Sequence, residues 1–388
     1  MGYVEVMKKR RILCSLESRA TYGYSRNVMN AMRDYPELEL TTLVTGMHLM
    51  PEMGNSIELI RRDGFPITAE VPLHPDGKGA GSWARAMGSA ISGFAEAIDR
   101  IQPDIVLLFG DRGETMSLCM TAAYMGVPTA HVQAGDKSGH IDDAARYAIA
   151  KLAHIHFASC EDSANRVRNL GEQEFRIFNT GAPQLDDMNR DFTSDCVEID
   201  GRLIRLDDPY LLLVMHPVMA EREEAGQQMQ DVLDACLASG LPVVWIYPNS
   251  DLGHDAIIDV IERYNDHPKI QAVTNCERDD YFRLLYNSKA LVGNSSSGIL
   301  EAPSFKTPVV NIGNRQRGRQ QASNILNCLN DIPSIAETIK TALNDEAFKK
   351  RCAQSMNPYG DGKSSPRICE ILRDIPLDRQ LLDKQTTF

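Results

Sequence analysis

Short apolar runs rich in β-branched residues alternate along this chain with longer amphipathic stretches. The run at residues 12–14 predicts a first strand, and the pattern at about 24–33 predicts the helix that follows it. A second helical pattern covers 84–101 and ends before Pro103. The run at 104–109 is almost entirely apolar, which is typical of a strand buried on both faces of a parallel sheet. Further strands are predicted at 38–45, 129–132, 155–158 and 176–179, and further helices up to 123 and at 141–153.

The same alternation restarts after a charged segment at 198–208, which we interpret as a linker between two domains. Strands are predicted beyond it at 210–215, 243–247, 270–273, 290–292 and 309–312. Strand–helix alternation of this kind predicts parallel sheets with right-handed crossovers. The predicted fold class is therefore α/β, with two Rossmann-like doubly wound domains. We place the N-terminal domain at 1–197 and the C-terminal domain at 198–365.

Length, composition and charge agree with this interpretation and narrow the possible partners. The chain has 388 residues, enough for two domains, and its hydrophobic fraction of 43% is ordinary for a globular protein. A net charge of −12 argues against nucleic acid as a partner, but it is compatible with a phosphorylated small molecule held by a few arginines. The nine cysteines form no CxxC pair and no zinc spacing, and the first residues resemble neither a signal peptide nor a membrane span. We therefore expect a soluble cytoplasmic protein without a bound metal.

Polar residues directly after the strands are the candidates for function, because ligands of open α/β sheets bind beyond the carboxyl ends of the strands. They are Glu17, Ser18, Arg19, Asp111, Arg112, Gln133, Asp136, Asp142, Asp143, His216, the run 293–298, Glu301 and Arg315. One arginine at such a position is usually a surface residue, whereas Arg19, Arg112 and Arg315 together would suit a phosphate clamp. His216 ends a strand and precedes Pro217, so it is either structural or directed at a ligand.

The run Gly-Asn-Ser-Ser-Ser-Gly at 293–298 is the clearest candidate for an anion site. It leads from a strand into a helix expected to begin near Gly298, whose free N–H groups and dipole would favour a diphosphate. Ser295 and Ser296 could add hydroxyl donors, and Glu301 could accept from ribose hydroxyls. The alternative is a serine helix cap in a tight turn, with Glu301 merely stabilised by the helix dipole.

At these residues the sequence resembles the UDP-hydrolysing N-acetylglucosamine 2-epimerases of bacterial sialic-acid pathways, and the resemblance covers nearly the whole chain. It is carried by Gly110-Asp111-Arg112, Ser138-Gly139-His140-Ile141-Asp142-Asp143, Arg146, Ala148-Ile149-Ala150-Lys151-Leu152-Ala153-His154, His216-Pro217, Gly293-Asn294-Ser295-Ser296, Glu301, Thr307-Pro308-Val309-Val310-Asn311, Arg315-Gln316 and Tyr359-Gly360-Asp361-Gly362.

The resemblance implies two Rossmann-like domains of the glycosyltransferase-B type facing a central cleft, and homodimers or homotetramers. It also implies a C-terminal segment, 366–388, that packs back on the first domain. The implied reaction on a UDP-linked 2-acetamido sugar is anti elimination of UDP to a glycal, followed by addition of water. With UDP-N-acetylglucosamine the products are UDP and free N-acetylmannosamine. Neither a metal nor a redox cofactor is implied.

The resemblance also implies roles for individual residues. Asp111, Asp136 and Asp142 correspond to acid/base carboxylates, which suit a reaction that removes a poorly acidic C2 proton. His216 corresponds to a residue that contacts the diphosphate or assists its departure. The residues expected to bind the nucleotide or the substrate are Arg19, Arg112, Arg146, Ser295, Ser296, Glu301 and Arg315.

The sequence departs from the family pattern beside the expected sugar site. Gln133 stands where relatives usually have a glutamate, Asp136 is one methylene shorter than the usual glutamate, and Thr21 replaces a common acidic residue. These changes suggest a different sugar, such as the 2,4-diacetamido-2,4,6-trideoxy sugar of legionaminic-acid pathways. Because an amide cannot exchange a proton, the C2 base must be Asp142 or Asp136. We favour Asp142, since Asp143 could cap the helix in its place, and we expect Gln133 to hold the acetamido group or a water.

Two other functions fit the same sequence. A glycosyltransferase on the same scaffold would use a UDP-sugar donor, but it would need an acceptor and would release no free epimerised sugar. A catalytically silent nucleotide-sugar sensor, suggested by Gln133, would bind UDP without turnover. Incubation with a nucleotide sugar alone distinguishes these possibilities from the epimerase.

Overall fold

The computed structural model describes residues 9–51, 56–75, 77, 80–137, 141–249, 251–274 and 276–388, without the side chains of residues 80, 141 and 142. The chain divides into two compact units. The first unit comprises Met1–Asp187 and Tyr359–Phe388, and the second comprises Met188–Pro358.

In the described part of the first unit, seven parallel strands form one sheet in the order β3-β2-β1-β4-β5-β6-β7. The strands are β1 (Arg10–Leu16), β2 (Leu38–Thr45), β3 (Ala69–Val71), β4 (Ile105–Phe109), β5 (Thr129–Val132), β6 (Ile155–Ala158) and β7 (Ile177–Asn179). The helices between them are α1 (Arg19–Met32), α2 (Ile57–Arg62), α3 (Ala80–Ile101), α4 (Gly113–Tyr124), α5 (Ile141–Leu152) and α6 (Glu161–Asn169).

Strand β4 shows why this sheet is covered on both faces. Every residue of the strand is fully buried. Ile105, Leu107 and Phe109 pack with residues of α1, whereas Val106 and Leu108 pack with residues of α3 and α4. Burying each of these side chains stabilises the fold by roughly 1.5–3 kcal/mol. The sequence prediction of a strand buried on both faces is confirmed.

The second unit repeats the design. In its described part, six parallel strands form a sheet in the order β12-β11-β10-β13-β14-β15, beside a two-stranded antiparallel sheet of β8 and β9. The strands are β8 (Cys196–Ile199), β9 (Arg202–Arg205), β10 (Leu211–Val214), β11 (Val243–Ile246), β12 (Ile270–Val273), β13 (Ala290–Gly293), β14 (Val309–Ile312) and β15 (Ile325–Cys328). The helices are α7 (Ala225–Ala238), α8 (His254–Arg263), α9 (Arg278–Asn287), α10 (Ser297–Leu300), α11 (Ala302–Phe305), α12 (Ile332–Asn344) and α13 (Glu346–Ala353). Both parallel sheets have the Rossmann strand order, which confirms the predicted fold class.

The last two helices return to the first unit. They are α14 (Ser364–Asp374) and α15 (Arg379–Leu382). Ile368 and Leu372 of α14 join the core beside α1. The Arg10 guanidinium donates to the carbonyl oxygens of Leu372 and Ile375 at 2.6 and 2.9 Å. These contacts anchor the end of the chain to the first strand of the first sheet.

The boundaries between the units differ from the predicted ones. The first unit ends at Asp187 rather than at 197, because Phe192 already packs edge-on against Phe282 and Phe305 of the second unit, with ring centroids 5.5 and 5.3 Å apart. The charged segment interpreted as a linker, 198–208, includes the end of β8 and all of β9, which pair as a hairpin. The chain re-enters the first unit at Tyr359 rather than at 366, where the Tyr359 carbonyl accepts a hydrogen bond from the Ala182 N–H at 2.7 Å.

Two helix starts also differ from the prediction. Helix α1 begins at Arg19 rather than near 24, because Ser18 caps it by accepting a hydrogen bond from the Thr21 N–H at 3.4 Å. The helix expected from Gly298 begins at Ser297 and lasts only four residues before α11 follows. Over the described ranges, we find no helix of the length and hydropathy that crossing a bilayer requires.

Candidate functional site

The strand order of the first sheet reverses between β1 and β4, which is where ligands of doubly wound sheets bind. Asp111 follows β4, and Gln133 and Asp136 follow β5, the next strand in the sheet. Parallel pairing brings the carboxyl ends of these strands to one edge. The strand-end residues chosen from the sequence therefore lie along the same edge.

Arg146 joins two of these positions from helix α5. Its guanidinium forms an ion pair with the Asp111 carboxylate, and its Nη1 donates to the Gln133 carbonyl oxygen at 2.8 Å. Gln133 has φ of +63°, an uncommon conformation for a residue other than glycine. Burial lowers the pKa of Arg146, but Asp111 and Asp136 outweigh that effect and leave it raised. Arg146, which was expected to bind substrate, thus joins the ends of strands β4 and β5 through Asp111 and Gln133.

Asp136 is fixed through one carboxylate oxygen only. The Ser159 hydroxyl at the end of β6 donates to Oδ2 at 3.0 Å, while Oδ1 is buried and has no hydrogen-bond partner within the described ranges. The preceding Gly135 has φ of +74°, and a Cβ there would lie 2.1 Å from the Ser163 carbonyl oxygen. Only glycine therefore lets this turn approach helix α6 so closely. The result is an oriented carboxylate with one oxygen available for a ligand.

Two further polar residues lie at this edge, Glu17 and Tyr24, and the sequence analysis gave neither of them a role in the site. Glu17 follows β1 and is buried, accepting from Ser15 at 2.7 Å, Thr115 at 3.1 Å and Thr21 at 3.3 Å. Burial raises the pKa of Glu17 to about 7, and the nearby Glu114 adds to the rise. Glu17 was named because it follows a strand. Its hydrogen-bond partners lie on separate segments of the chain, which the position of a residue after a strand does not predict.

Tyr24 is the second addition. Its ring is buried against Phe109, with ring centroids 6.0 Å apart, and its hydroxyl lies 3.3 Å from where a Cβ on Gly110 would stand. Burial raises the pKa of Tyr24 well above its usual value, so the phenol stays protonated close to Arg146 and Asp111. The sequence offered no signal for it, since a tyrosine in an amphipathic helix is ordinarily a core residue.

The other predicted residues of the first unit are Arg19, Arg112 and Asp142. Arg19 is exposed in the first turn of α1, and Arg112 approaches Glu114 at 3.4 Å. Asp142 belongs to the first turn of α5, but its side chain is outside what the structure describes.

In the second unit, His216 lies directly beyond β10. Its Nδ1 accepts a hydrogen bond from the Asn249 N–H at 3.1 Å, so the neutral ring carries its proton on Nε2. Burial lowers the pKa of His216 to about 4, and the positive charge of Arg315 lowers it further. At neutral pH the imidazole is therefore an uncharged donor.

Asn294 connects His216 to the predicted anion segment. Its side chain bonds both backbone groups of His216, and its carbonyl oxygen accepts from Arg315 at 3.2 Å and from Gln316 at 2.9 Å. Gly293 has φ of +132°, and a Cβ there would stand 2.0 Å from the Val214 carbonyl oxygen. Asn294 lay inside the motif noted in the sequence, yet nothing in the spacing predicted these bonds.

The serine segment itself is less helical than predicted. Ser296 precedes the four-residue helix α10, which is too short for a substantial dipole, and Ser295 Oγ accepts locally from the Ser297 N–H at 3.3 Å. Glu301 lies between α10 and α11, 3.9 Å from Arg278. In the portions of the chain that are described, no group of three His, Cys, Asp or Glu residues could hold a metal.

Comparisons with known proteins cover nearly the whole chain. The family model described as UDP-N-acetylglucosamine 2-epimerase matches residues 30–373. A Legionella pneumophila protein named UDP-N,N'-diacetylbacillosamine 2-epimerase (hydrolyzing) is 38% identical over 376 residues, which cover 97% of this chain and 98% of that protein. A Campylobacter jejuni protein named GDP/UDP-N,N'-diacetylbacillosamine 2-epimerase (hydrolyzing) is 30% identical over 347 residues, which cover 86% and 88%.

Solved structures show the same fold. The crystal structure of UDP-GlcNAc 2-epimerase from Neisseria meningitidis, bound to UDP-GlcNAc, matches with a TM-score of 0.75 and covers 93% of this chain and 99% of that chain. The sequences are 18% identical in this match, so the likeness shows the fold alone.

Proposed function

Because the chain belongs to the UDP-N-acetylglucosamine 2-epimerase family, we propose that it is a hydrolysing 2-epimerase of a UDP-linked 2-acetamido sugar. The enzyme would release UDP and the free sugar inverted at C2. The observation that carries this proposal within the structure is the oriented carboxylate of Asp136 beside the pair of Asp111 and Arg146. Removal of a poorly acidic proton requires such positioned carboxylates.

The proposed sugar carries a second acetamido group. Two relatives at 38% and 30% identity are named for N,N'-diacetylbacillosamine, which is a 2,4-diacetamido-2,4,6-trideoxyglucose. Gln133, in place of the usual family glutamate, suits a changed sugar because its amide can both donate to and accept from an acetamido group. We therefore rank this UDP-sugar above UDP-N-acetylglucosamine. The product would be the 2,4-diacetamido-6-deoxy analogue of N-acetylmannosamine, a precursor for legionaminic-type acids.

The first step breaks two bonds of the substrate. A carboxylate base takes the C2 proton, the bonding pair forms the C1–C2 double bond of the glycal, and the C1–O bond electrons leave with UDP. We assign the base to Asp142, with Asp136 and Asp111 as the further acid/base carboxylates. In the second step the oxygen of a water bonds to C1 while one of the carboxylates takes a proton from that water, and C2 receives a proton on the face opposite to the one that lost it. Gln133 would hold the acetamido group or a water throughout.

The second unit would hold the leaving group. The neutral imidazole of His216 can donate a hydrogen bond from Nε2 to a diphosphate oxygen, and the Arg315 guanidinium would offset its charge. Ser295, Ser296 and Glu301 would complete the nucleotide site through hydroxyl and carboxylate contacts. Arg19 and Arg112 remain predicted phosphate ligands. Arg146 remains a predicted substrate-binding residue with a supporting role at the sugar. No metal or redox cofactor is proposed, and a cytoplasmic homodimer or homotetramer remains a prediction.

The decisive experiment incubates the protein with single nucleotide sugars and no acceptor, in water and in heavy water. Proton NMR should show UDP and a free sugar that is inverted at C2 and carries one solvent deuterium there. The 2,4-diacetamido substrate should turn over faster than UDP-N-acetylglucosamine. Asp99→Asn, which changes an exposed carboxylate on α3, serves as a control that should match the wild-type rate.

Each alternative has its own result. An inverted sugar without deuterium at C2 would exclude elimination and rehydration. UDP binding without any turnover would favour the sensor, and turnover that begins only when an acceptor is supplied would favour the glycosyltransferase.

A further inference from the structure

Asn294 links His216 and Arg315, the two candidate diphosphate ligands of the second unit. It is 1% exposed and lies directly after β13, the strand beside β10. Its Oδ1 accepts from the His216 N–H at 2.8 Å, and its Nδ2 donates to the His216 carbonyl oxygen at 2.8 Å. A single carboxamide thus satisfies both backbone groups of the residue that follows β10.

The orientation of the His216 ring depends on that backbone. The ring Nδ1 accepts from the Asn249 N–H, which leaves Nε2 as the donor. The hydrogen bond at Nδ1 requires that the His216 Cα stays in place. The two hydrogen bonds from the Asn294 side chain to the His216 backbone restrain that Cα from the end of the neighbouring strand. Asn249 therefore selects the tautomer, and Asn294 fixes the position from which Nε2 acts.

The backbone of Asn294 fixes a second group in the same way. Its carbonyl oxygen accepts from Arg315 Nη1 at 3.2 Å and from Gln316 Nε2 at 2.9 Å, and its N–H donates to the Val214 carbonyl oxygen at 3.2 Å. The ends of β10 and β13 and the segment after β14 therefore meet at one buried asparagine. A shift of Asn294 would displace the imidazole and the guanidinium together.

We propose that Asn294 is a positioning residue that holds the His216 imidazole and the Arg315 guanidinium in the one arrangement that binds a nucleoside diphosphate. The proposal rests on the proposed function for the identity of the ligand. It does not require Asn294 to touch the ligand, since both bonds of its side chain go to His216. The competing explanation is that Asn294 only stabilises the packing of β10 and β13. It predicts a loss of stability without a change in the titration of the His216 imidazole.

Asn324→Ala provides a matched control for that competing explanation. Asn324 is also a fully buried asparagine of the second unit, and it also clamps backbone, donating from Nδ2 to the Thr307 carbonyl oxygen at 2.7 Å. The hydrogen bonds of Asn324 within the described residues go to Thr307, Val309 and Ser355 and not to His216 or Arg315. Both alanine variants should lose comparable stability, so any difference at the imidazole or in UDP affinity reports positioning.

The experiment measures three quantities in the full-length protein: the imidazole titration and tautomer of His216 by NMR, the affinity for UDP by calorimetry, and the thermal midpoint. Asn294→Ala should move the His216 titration and weaken UDP binding by on the order of 10-fold, since two modest hydrogen bonds to its backbone are lost. Asn324→Ala should leave both unchanged. Asn294→Ser provides a second variant if the alanine protein does not fold, because its hydroxyl keeps a polar group at this position without adding a charge and is too short to bond both backbone groups of His216.

Unchanged His216 signals and UDP affinity in both Asn294 variants would overturn the proposal. If the wild-type protein itself binds no UDP, the proposed function fails. The His216 titration then still decides whether Asn294 positions the ring, because that measurement needs no ligand.

Discussion

Arg146 and Asp111 form a buried ion pair, with side chains only 7% and 16% exposed, between helix α5 and the end of strand β4. The same guanidinium bonds the Gln133 carbonyl oxygen at 2.8 Å. One cation thus orients a candidate catalytic carboxylate and supports the left-handed backbone of Gln133, whose φ is +63°. The pair therefore balances the charge of Asp111 and holds the ends of β4 and β5 in place relative to each other.

Replacing Arg146 by alanine should therefore be strongly destabilising. A buried carboxylate left without its partner typically costs about 3–5 kcal/mol of unfolding free energy. Urea unfolding should show a loss in that range for Arg146→Ala. Arg61→Ala, which removes exposed pairs with Glu58 and Glu70, should cost at most about 1 kcal/mol. Equal losses in the two variants would show that the pair of Arg146 and Asp111 is not balanced as described.

The buried Glu17 carboxyl should make stability fall as the pH rises. Its folded pKa of about 7 lies above the ordinary 4.5, so the folded state binds more protons than the unfolded state between these values. The contribution is fully present below about pH 4.5 and is lost as the pH rises through about 7. Glu17→Gln should flatten this dependence when urea midpoints are compared at about pH 5 and about pH 8. The exposed Glu58→Gln should retain the wild-type slope, and an unaltered slope in Glu17→Gln would contradict the assignment.

The predictable and unpredictable parts of this fold differ for a physical reason. The apolar run of β4 is enough to predict a strand buried on both faces. By contrast, β3 has only three residues, and β8 alternates exposed with buried positions at the start of a charged segment. Such short or half-buried strands are defined by their pairing partners, which the sequence does not name.

The same distinction applies to the site. Asp111, Gln133, Asp136 and His216 were identified because each directly follows a predicted strand. The bond from Arg146 to Asp111 spans 35 positions, and the bond from Asn294 to His216 spans 78. Long-range bonds of this kind depend on the crossovers between strands, so local spacing could not predict them.

Arg315 should contribute more to nucleotide affinity than Ser295. A hydrogen bond to a charged group is worth roughly 1.5–3 kcal/mol, which corresponds to a loss of about 10- to 100-fold in UDP affinity for Arg315→Ala. Ser295→Ala should lose less, since Ser295 Oγ already accepts from the Ser297 N–H at 3.3 Å. Calorimetry with UDP measures both, and the exposed Arg317→Ala is the control. An unchanged affinity in Arg315→Ala would remove Arg315 from the phosphate site.

The identity of the C2 base can be decided by two isosteric substitutions. Asp142→Asn should lose most turnover, by about 10²–10⁴-fold, while UDP affinity measured by calorimetry stays near wild type. Asp136→Asn should be less damaging, because an amide can still accept from the Ser159 hydroxyl that fixes Oδ2 at 3.0 Å. Gln133→Glu should change rate or sugar preference only modestly.

The contrary pattern would be equally informative. The Oδ1 atom of Asp136 is buried and has no partner across the described residues, so this carboxylate could itself accept a proton. A near-wild-type Asp142→Asn together with an inactive Asp136→Asn would move the base to Asp136. If only Gln133→Glu created activity in an otherwise inert protein, the amide at that position would be what silences the site, and the sensor would be the correct function. Deuterium incorporation at C2, followed by proton NMR in all three variants, separates these outcomes because it reports proton transfer directly rather than UDP release.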